Sequence, residues 1–313
     1  MSQKKYLITL GGPTAVGKTN LAIQLALHFN TVIISADSRQ IYKELNIGVA
    51  KPSTEQLALV KHYFISHISI HQDYTAYDFQ KETHQLLHQL FQQHDVVIMT
   101  GGTGFYINAV LYGLNEIPAI STKTKEHLKK LYEEGGIEFL QNELKQKDPA
   151  YYLKADLNNP VRLLRALEVI YETQRPFSAF LNDQNKNKPD YFTPINLWLN
   201  TNREILHQKI NERVNQMIEM GLEDEAKNLY PHKYLKALNT VGYKEWWRYF
   251  DKPLVSKDRI IEEIKKNTRQ YAKRQITWFK HQWEAKEIKL QDLDNTSQNV
   301  DIILKWIEGE FII

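Results

Sequence analysis

Residues Gly12-Pro13-Thr14-Ala15-Val16-Gly17-Lys18-Thr19 match the phosphate-binding pattern G-x-x-x-x-G-K-[ST], which is typical of one class of α/β fold. This stretch follows an apolar run, residues 6–10, that predicts a buried strand, and it opens a segment, 18–29, with apolar residues at helical spacing. In such a loop the glycines let successive backbone N–H groups surround an anion. Lys18 would bind the outer phosphate, and the hydroxyl of Thr19 would ligate Mg²⁺. The pattern predicts a diphosphate or triphosphate ligand without identifying it.

The composition is that of a globular protein. Of 313 residues, 42% are hydrophobic and 25% are charged, which excludes a disordered chain and a coiled-coil rod. There is no cysteine, so disulfides, thiolate catalysis and a cysteine-ligated zinc site are excluded. A net charge of +3 does not by itself establish a polyanionic partner. Apolar runs such as 96–99 are too short to span a bilayer, and the N-terminus lacks a signal-peptide pattern, so we expect no membrane segment and a cytoplasmic location.

Strand and helix patterns alternate along the first hundred residues. Further strands are predicted at 31–35 and 96–99 and a helix at 84–91, a rhythm typical of a parallel sheet with crossover helices. Later segments are predicted as helices 123–132, 137–146 and 160–172, a polar loop 182–189, a strand 195–199, and two long helices near 203–230 and 258–285. The predicted fold class is α/β, a P-loop NTPase-like parallel sheet core (1–114 and 195–313) with a helical insertion domain (115–194) and a long basic C-terminal helix.

Two further turns are predicted at the edge of the sheet that binds the phosphate. The strand at 96–99 runs into a second glycine-rich turn, 101–104, in which Thr103 could donate to a phosphate oxygen, although a plain strand-to-helix turn explains it equally well. That strand carries no acid for a metal, so Asp37 is the candidate carboxylate. It could hold Mg²⁺, act as a general base, or serve as a helix N-cap, and the residues alone leave these three open.

The pattern Asn187-Lys188-Pro189-Asp190 resembles a guanine-reading motif but does not follow a strand, so we treat it as chance.

Basic residues concentrate near the C-terminus. Between Lys265 and Lys280 there are six basic residues and no acid, and Lys266, Arg269, Lys273 and Lys280 are spaced to share one helix face. Taken alone, this pattern favours a solvated cationic face over a grip on RNA phosphates. Arg162 and Arg165 form a smaller basic patch on the insertion.

With these motifs in hand, the sequence resembles the bacterial tRNA dimethylallyltransferases, also called tRNA isopentenyltransferases. Besides 12–19, 37–42 and 101–106, the segments that carry the resemblance are 159–168, 221–222, 241–245 and 271–279, so it covers nearly the whole chain. The resemblance implies transfer of a dimethylallyl group from dimethylallyl diphosphate to N6 of the adenosine on the 3′ side of the anticodon, in tRNAs that read codons starting with U. It also implies Mg²⁺ as cofactor and the tRNA anticodon loop as partner, and a monomer suffices for such a reaction.

The resemblance assigns roles residue by residue. Residues 12–19 would cradle the diphosphate, Thr103 would hydrogen-bond its bridging oxygen, and Asp37 would take the proton from N6. Arg213 matches the family arginine that faces the diphosphate. The residues expected to contact tRNA are Asp37, Ser38, Arg39, Gln40, Thr103, Val161, Arg162, Leu163, Leu164, Arg165, Gly242, Tyr243, Lys244, Lys266, Arg269, Lys273 and Arg274.

Three rival functions share parts of this pattern. A small-molecule kinase has the same phosphate loop and a carboxylate near Asp37, but it has no need of a long basic C-terminal helix. A non-catalytic RNA-binding NTPase would have no use for Asp37. An enzyme that prenylates free AMP is disfavoured by the basic helix and the insertion, which suit a macromolecular acceptor. ATP also stays open as a poor ligand of the loop.

Overall fold

A computed structural model of the chain describes residues 4–115, 117–181, 188–251 and 256–310. The chain forms two compact units, one joining Met1–Leu111 to Pro189–Ile313 and the other comprising Tyr112–Lys188. The predicted domain boundaries, with an insertion domain from residue 115 to residue 194, and the roles assigned to the two domains stay predictions.

A parallel sheet is the centre of the first unit. Its six strands lie in the order β3-β2-β4-β1-β5-β6, and every pairing between them is parallel. All residues of the central strand β1 are buried, as expected for a strand covered on both faces. The strands are β1 (Tyr6–Gly11), β2 (Ile33–Ser35), β3 (His62–Tyr63), β4 (Val96–Gly101), β5 (Thr193–Thr201) and β6 (Lys286–Leu290).

Helices connect and cover these strands. In the first unit they are α1 (Lys18–His28), α2 (Thr54–Leu59), α3 (Ala76–Leu90), α4 (Gly104–Tyr112), α8 (Arg203–Glu219), α9 (Leu222–Leu229), α10 (Lys244–Asp251), α11 (Lys257–Gln282) and α12 (Thr296–Glu310). The second unit contains α5 (Thr122–Lys147), α6 (Pro149–Tyr152) and α7 (Pro160–Thr173) around a core of its own. Across the described ranges, no helix is both long and apolar enough to cross a membrane.

The strand register brings three turns to one edge of the sheet. Gly11 at the end of β1 pairs with Gly101 at the end of β4, and Ser35 at the end of β2 pairs with Thr100. The loops that follow these strands therefore begin side by side at the carboxyl edge, where α/β sheets bind ligands.

The predicted α/β class, with its parallel sheet and crossover helices, is confirmed, and several element bounds are wrong. The predicted helix 203–230 is two helices, because Gly221 adopts a left-handed conformation (φ 96°) that ends α8 and begins α9. The predicted strand 31–35 pairs only from Ile33. The helix predicted at 84–91 begins earlier, at Ala76, where Thr75 and Asp78 form a capping box.

Other predictions were incomplete. The two helices expected at 123–132 and 137–146 lie within the range of α5, which is interrupted by non-helical dihedral angles at Gly136. Sequence analysis missed β3, which has only two residues, and it missed β6 and α12. Buried residues of β6 and α12, among them Ile288, Ile303 and Ile307, belong to the same core as β1. Residues 182–187 of the predicted polar loop, including Asn187 of the guanine-like pattern, lie outside the described residues.

Candidate active site

The phosphate loop has the backbone of an anion-binding nest. Ala15 and Gly17 both have positive φ angles, 66° and 94°. Left-handed residues in such a turn direct successive N–H groups toward one point, where an anion is stabilised. A positive φ is unfavourable for alanine, so the surrounding structure must hold it there, which is typical of functional loops.

Two cations face this loop. The Nζ of Lys18 donates to the carbonyl oxygens of Gly12 (2.9 Å) and Pro13 (2.6 Å). Burial, together with the charge of Arg213, lowers the pKa of Lys18 to about 7, although the nearby Asp37 carboxylate partly opposes the shift. Burial also lowers the pKa of Arg213, whose Nη1 donates to the Thr14 hydroxyl at 3.4 Å. Two desolvated like charges at one loop are unfavourable unless an anion joins them, so the site is built to receive one.

A cavity of about 130 Å³ lies in front of the loop. Its wall includes Lys18, Thr19 and Arg213 from the phosphate side and Asp37 and Tyr271 from the other. A second cavity of about 560 Å³ also touches Thr19 and Arg213 and adds apolar side chains such as Leu57 and Met220. The anion-binding groups and the candidate base therefore share one space.

Asp37 is held by the turn that it begins. Its Oδ1 accepts hydrogen bonds from the backbone N–H groups of Arg39 (2.8 Å) and Gln40 (3.2 Å). These bonds cap the start of a turn, as Asp side chains often do. No helix follows Asp37 before α2, so this is not the helix N-cap that the sequence left open as one of three roles. Capping occupies Oδ1, and the other carboxylate oxygen, Oδ2, has no hydrogen bond to any residue in the described ranges. Oδ2 is therefore the atom that is able to accept a proton from a ligand in the cavity.

The second glycine turn packs tightly against the Asp37 turn. A Cβ on Gly101 would lie 2.0 Å from the carbonyl oxygen of Ala36, so no other residue fits there without moving the backbone. The Thr103 hydroxyl accepts from the Ser38 N–H (3.0 Å) and donates to the Ser38 hydroxyl (3.2 Å). Thr103 and Ser38 thus contact each other beside the cavity, and the lining of the cavity includes neither. The predicted contact of Thr103 with a diphosphate oxygen stays a prediction.

Arg39 and Gln40 hold neighbouring loops. Arg39 donates through Nη1 to the carbonyl oxygens of Lys236 and Ala237, both at 3.1 Å. Gln40 donates through Nε2 to the carbonyl oxygens of Val49 and Ala50. Both residues also line the cavity, so they shape the space that a nucleobase would enter.

The basic face of α11 is narrower than its spacing suggested. Lys266, Lys273 and Arg274 are exposed. Arg269, predicted on the same face, is only partly exposed, and its Nη1 donates to Oδ1 of Asn211 on α8 at 2.6 Å. Arg269 thus has a partner on α8, and its predicted contact with an RNA phosphate stays a prediction.

Tyr243 and Leu163 are also corrected as RNA contacts. Both side chains are fully buried. The Tyr243 hydroxyl donates to Glu225 (2.6 Å), whose carboxylate also accepts from the N–H groups of Ile47 and Gly48. Tyr243 therefore stabilises the loop that precedes Val49. Of its two neighbours, Gly242 is buried and Lys244 is exposed.

The insertion, taken as a unit of its own, presents the start of α7 to solvent. Val161, Arg162 and Arg165 are exposed, Leu164 is partly buried, and Leu163 points into the unit's core because helical geometry turns it inward. Arg165 also pairs with Glu168 at 3.3 Å. The exposed members remain candidates for RNA contact.

Among the residues of the cavity wall that sequence reasoning missed are Tyr271 and Gln275. Burial raises the pKa of Tyr271, and the Asp37 charge raises it further, so its hydroxyl stays neutral beside the carboxylate. Gln275 joins the two glycine turns, as described below. Both residues were within a segment that carried the family resemblance, but nothing local to that segment tells which side faces the cavity.

The residues suit a metal ion that is held partly by its ligand. Within the described ranges there is no group of three or more His, Asp or Glu side chains able to hold a metal. Thr19 and Asp37 both border the cavity. Mg²⁺ is commonly bound by one or two protein groups together with phosphate oxygens and water, so this sparse donor set fits it.

A phosphate loop on a parallel sheet, with two partly buried cations and a carboxylate in the same cavity wall, defines an α/β protein of the P-loop class. A model of the IPP transferase family matches residues 40–282. This range begins after the phosphate loop and covers most of the chain. The chain belongs to that family.

Curated relatives and solved structures agree with this assignment. A tRNA dimethylallyltransferase of Christiangramia forsetii is 48% identical over 295 residues, covering 94% of this chain and 96% of the relative. The tRNA isopentenylpyrophosphate transferase of Bacillus halodurans has a TM-score of 0.69 at 30% identity and covers 98% of both chains. A eukaryotic dimethylallyltransferase acting on tRNA has a TM-score of 0.83 at 26% identity, covering 98% of this chain and 79% of the other.

Proposed function

We propose that the chain is a tRNA dimethylallyltransferase, which moves the dimethylallyl group of dimethylallyl diphosphate to N6 of the adenosine 3′-adjacent to the anticodon. The observation that carries this proposal is the shared cavity, whose wall contains the desolvated cations Lys18 and Arg213 together with the Asp37 carboxylate. The names of the curated relatives and of the tRNA-acting structural neighbour support it.

In this reaction the phosphate loop holds a leaving group. The bond between C1 of the dimethylallyl group and the diphosphate oxygen breaks, and both electrons of that bond leave with the diphosphate. Negative charge therefore grows on the oxygen that faces the nest of N–H groups, Lys18 and Arg213. Fixed donors placed where charge develops stabilise the transition state more than the ground state.

Mg²⁺ bound by Thr19 and the diphosphate oxygens would neutralise part of the same charge. The protein contribution at this point is the Thr19 hydroxyl, at the start of α1 and on the cavity wall. Asp37 borders the same space and is able to hold a water of the metal.

Asp37 acts on the acceptor. As N6 bonds to C1 it gains positive charge and becomes acidic, and Oδ2 of Asp37 then takes its proton. The hydrogen bonds from Arg39 and Gln40 fix the carboxylate, because they hold Oδ1 while Oδ2 stays available. A positioned base of this kind contributes about 10²- to 10⁴-fold to a rate.

The acceptor is an RNA loop, since an adenine must leave its stack to reach a cavity of this size. Flipping costs a few kcal/mol, and the cost is lower in a single-stranded loop. Exposed Lys266, Lys273 and Arg274 on α11 supply charge for the RNA backbone. Such contacts give affinity and register with little choice of sequence.

The rival kinase reading is not favoured, because the family and the relatives are transferases of an isoprenoid group. A direct comparison of ATP with dimethylallyl diphosphate as the donor tests this. Purified protein is incubated with Mg²⁺ and unmodified tRNA, together with either dimethylallyl diphosphate or ATP, and the nucleosides are analysed by mass. We expect a five-carbon adduct on the adenosine beside the anticodon only with the first donor. Rapid ATP hydrolysis without any adduct would overturn the proposal.

A further inference from the structure

We propose that Gln275 is a positioning residue for the transfer, because its side-chain amide fixes the phosphate loop relative to the second glycine turn. The inference rests on the proposed function and adds a residue to it. No role was expected for Gln275 from the sequence, and the mechanism above does not use it.

The amide makes one hydrogen bond to each turn. Oε1 of Gln275 accepts from the Thr14 N–H, and Nε2 donates to the Gly102 carbonyl, both at 2.9 Å. The side chain is 7% exposed, so little water competes for these bonds. Bonds to buried backbone groups are costly to lose, because the partners are left without substitutes.

Each of these contacts leads directly to a reacting group. Thr14 lies in the loop that holds the leaving diphosphate, and its hydroxyl accepts from Arg213. Gly102 precedes Thr103, whose N–H donates to the carbonyl oxygen of Ala36, the residue before Asp37. The amide therefore spans the gap between the leaving-group side and the base side of the cavity, beyond the point where the β1–β4 pairing ends at Gly11 and Gly101.

The chemistry at this position suits an amide. One end accepts from an N–H while the other donates to a carbonyl, and the side-chain amide of Gln does both without a charge at every pH. The packing adds a restriction, since a Cβ on Gly102 would lie 2.4 Å from Nε2 of Gln275. The amide therefore rests directly on the backbone of the glycine turn.

Q275M keeps the length and volume of the side chain while removing both hydrogen bonds. Q275E keeps the acceptor for Thr14 and places a carboxylate oxygen against the Gly102 carbonyl. Displacements near 1 Å in such sites cost about 10²-fold, so we expect kcat to fall by about 10- to 100-fold in both variants. The KM for tRNA should change less than about two-fold, because Gln275 lies inside the site and not on the exposed face of α11. Q282A, at the exposed end of the same helix, is the matched control and should behave as wild type.

Two further measurements separate positioning from folding and from the proposed function. Lowering the pH should partly restore Q275E relative to Q275M, since a protonated carboxyl donates to the Gly102 carbonyl as the amide does. Titration with inorganic diphosphate reports on the phosphate loop without any transfer, and both variants should bind it more weakly. An unchanged kcat and an unchanged diphosphate affinity in folded Q275M would overturn the inference. Loss of the fold in both variants would also overturn it, because the amide would then serve folding. Absence of transfer in the wild-type protein, with weaker diphosphate binding in Q275M, would instead refute the proposed function alone.

Discussion

The lowered pKa of Lys18 predicts that diphosphate binding weakens as the pH rises through neutrality. In the free protein this pKa is about 7, because burial and Arg213 disfavour the charged amine. A bound diphosphate anion favours the charged amine and raises the pKa again. Below pH 7 the lysine is already charged and the full affinity is present, whereas above pH 7 the protein must take up a proton in order to bind.

The size of the effect follows from the fraction of Lys18 that is charged in the free protein. That fraction is about one half at pH 7 and about one hundredth at pH 9, so the affinity should fall about 50-fold between them if the bound pKa exceeds 9. Arg213 does not contribute to this fall, because guanidinium groups stay charged over the whole range.

The assay is calorimetric titration with inorganic diphosphate from pH 6 to pH 9, with Lys18→Arg as the matched variant. Arginine keeps the charge at all these pH values, so the ratio of the two affinities cancels the titration of the diphosphate itself. Repeating the titration in buffers of different ionisation enthalpy counts the protons, and at pH 9 we expect the wild-type protein to take up about one proton more than the Arg variant. A wild-type to variant ratio that does not change with pH would refute the reasoning.

Three further predictions concern the base, the RNA face and the paired turns. Asp37→Asn keeps an Oδ1 acceptor for Arg39 and Gln40, so single-turnover transfer should fall about 10²- to 10⁴-fold while tRNA affinity in filter binding stays nearly unchanged, and an unaltered rate would exclude Asp37 as the base. Replacing Lys266, Lys273 and Arg274 together by Gln should make the slope of log tRNA affinity against log salt concentration shallower by about 2. Replacing the exposed pair Lys286 and Lys289 by Gln is the control and should leave the slope unchanged. An equal slope in both variants would contradict a contact between the α11 residues and RNA phosphates. Gly101→Ala, whose Cβ would lie 2.0 Å from the Ala36 carbonyl oxygen, should lower the free energy of unfolding in urea by about 2 kcal/mol or more. Gly309→Ala, which has open space around its Cβ, is the control and should not lower it. Equal urea midpoints for the two variants would show that the contact at Gly101 can relax.

Local patterns explain what could be predicted from the sequence. The strand, the phosphate loop and α1 follow one another within about two dozen residues, and spacing plus glycine positions define all three. The placement of Asp37 and the second glycine turn at one edge followed from the parallel arrangement, because parallel strands end together.

The rest depends on contacts that spacing does not encode. Gln275 meets Thr14 across 261 residues of sequence, and Arg269 is occupied by Asn211 of a helix 58 residues earlier. Helical periodicity gives the faces of α11 and α7, yet it does not tell which face packs against a neighbour. Tyr243 and Leu163 were assigned to RNA from the family resemblance, and a match between sequence segments does not tell that both side chains are buried.

The edge of the sheet has a practical consequence for shortened forms of this protein. The family match ends at residue 282, before β6, whose residues 286–290 cover the outer side of β5 from Leu197 to Thr201. Ending the chain at residue 282 would leave β5 as an open edge and would uncover apolar residues of the core that α12 shares. Unprotected edges of this kind pair with one another, so the shortened protein should precipitate during expression although every residue of the cavity wall is retained.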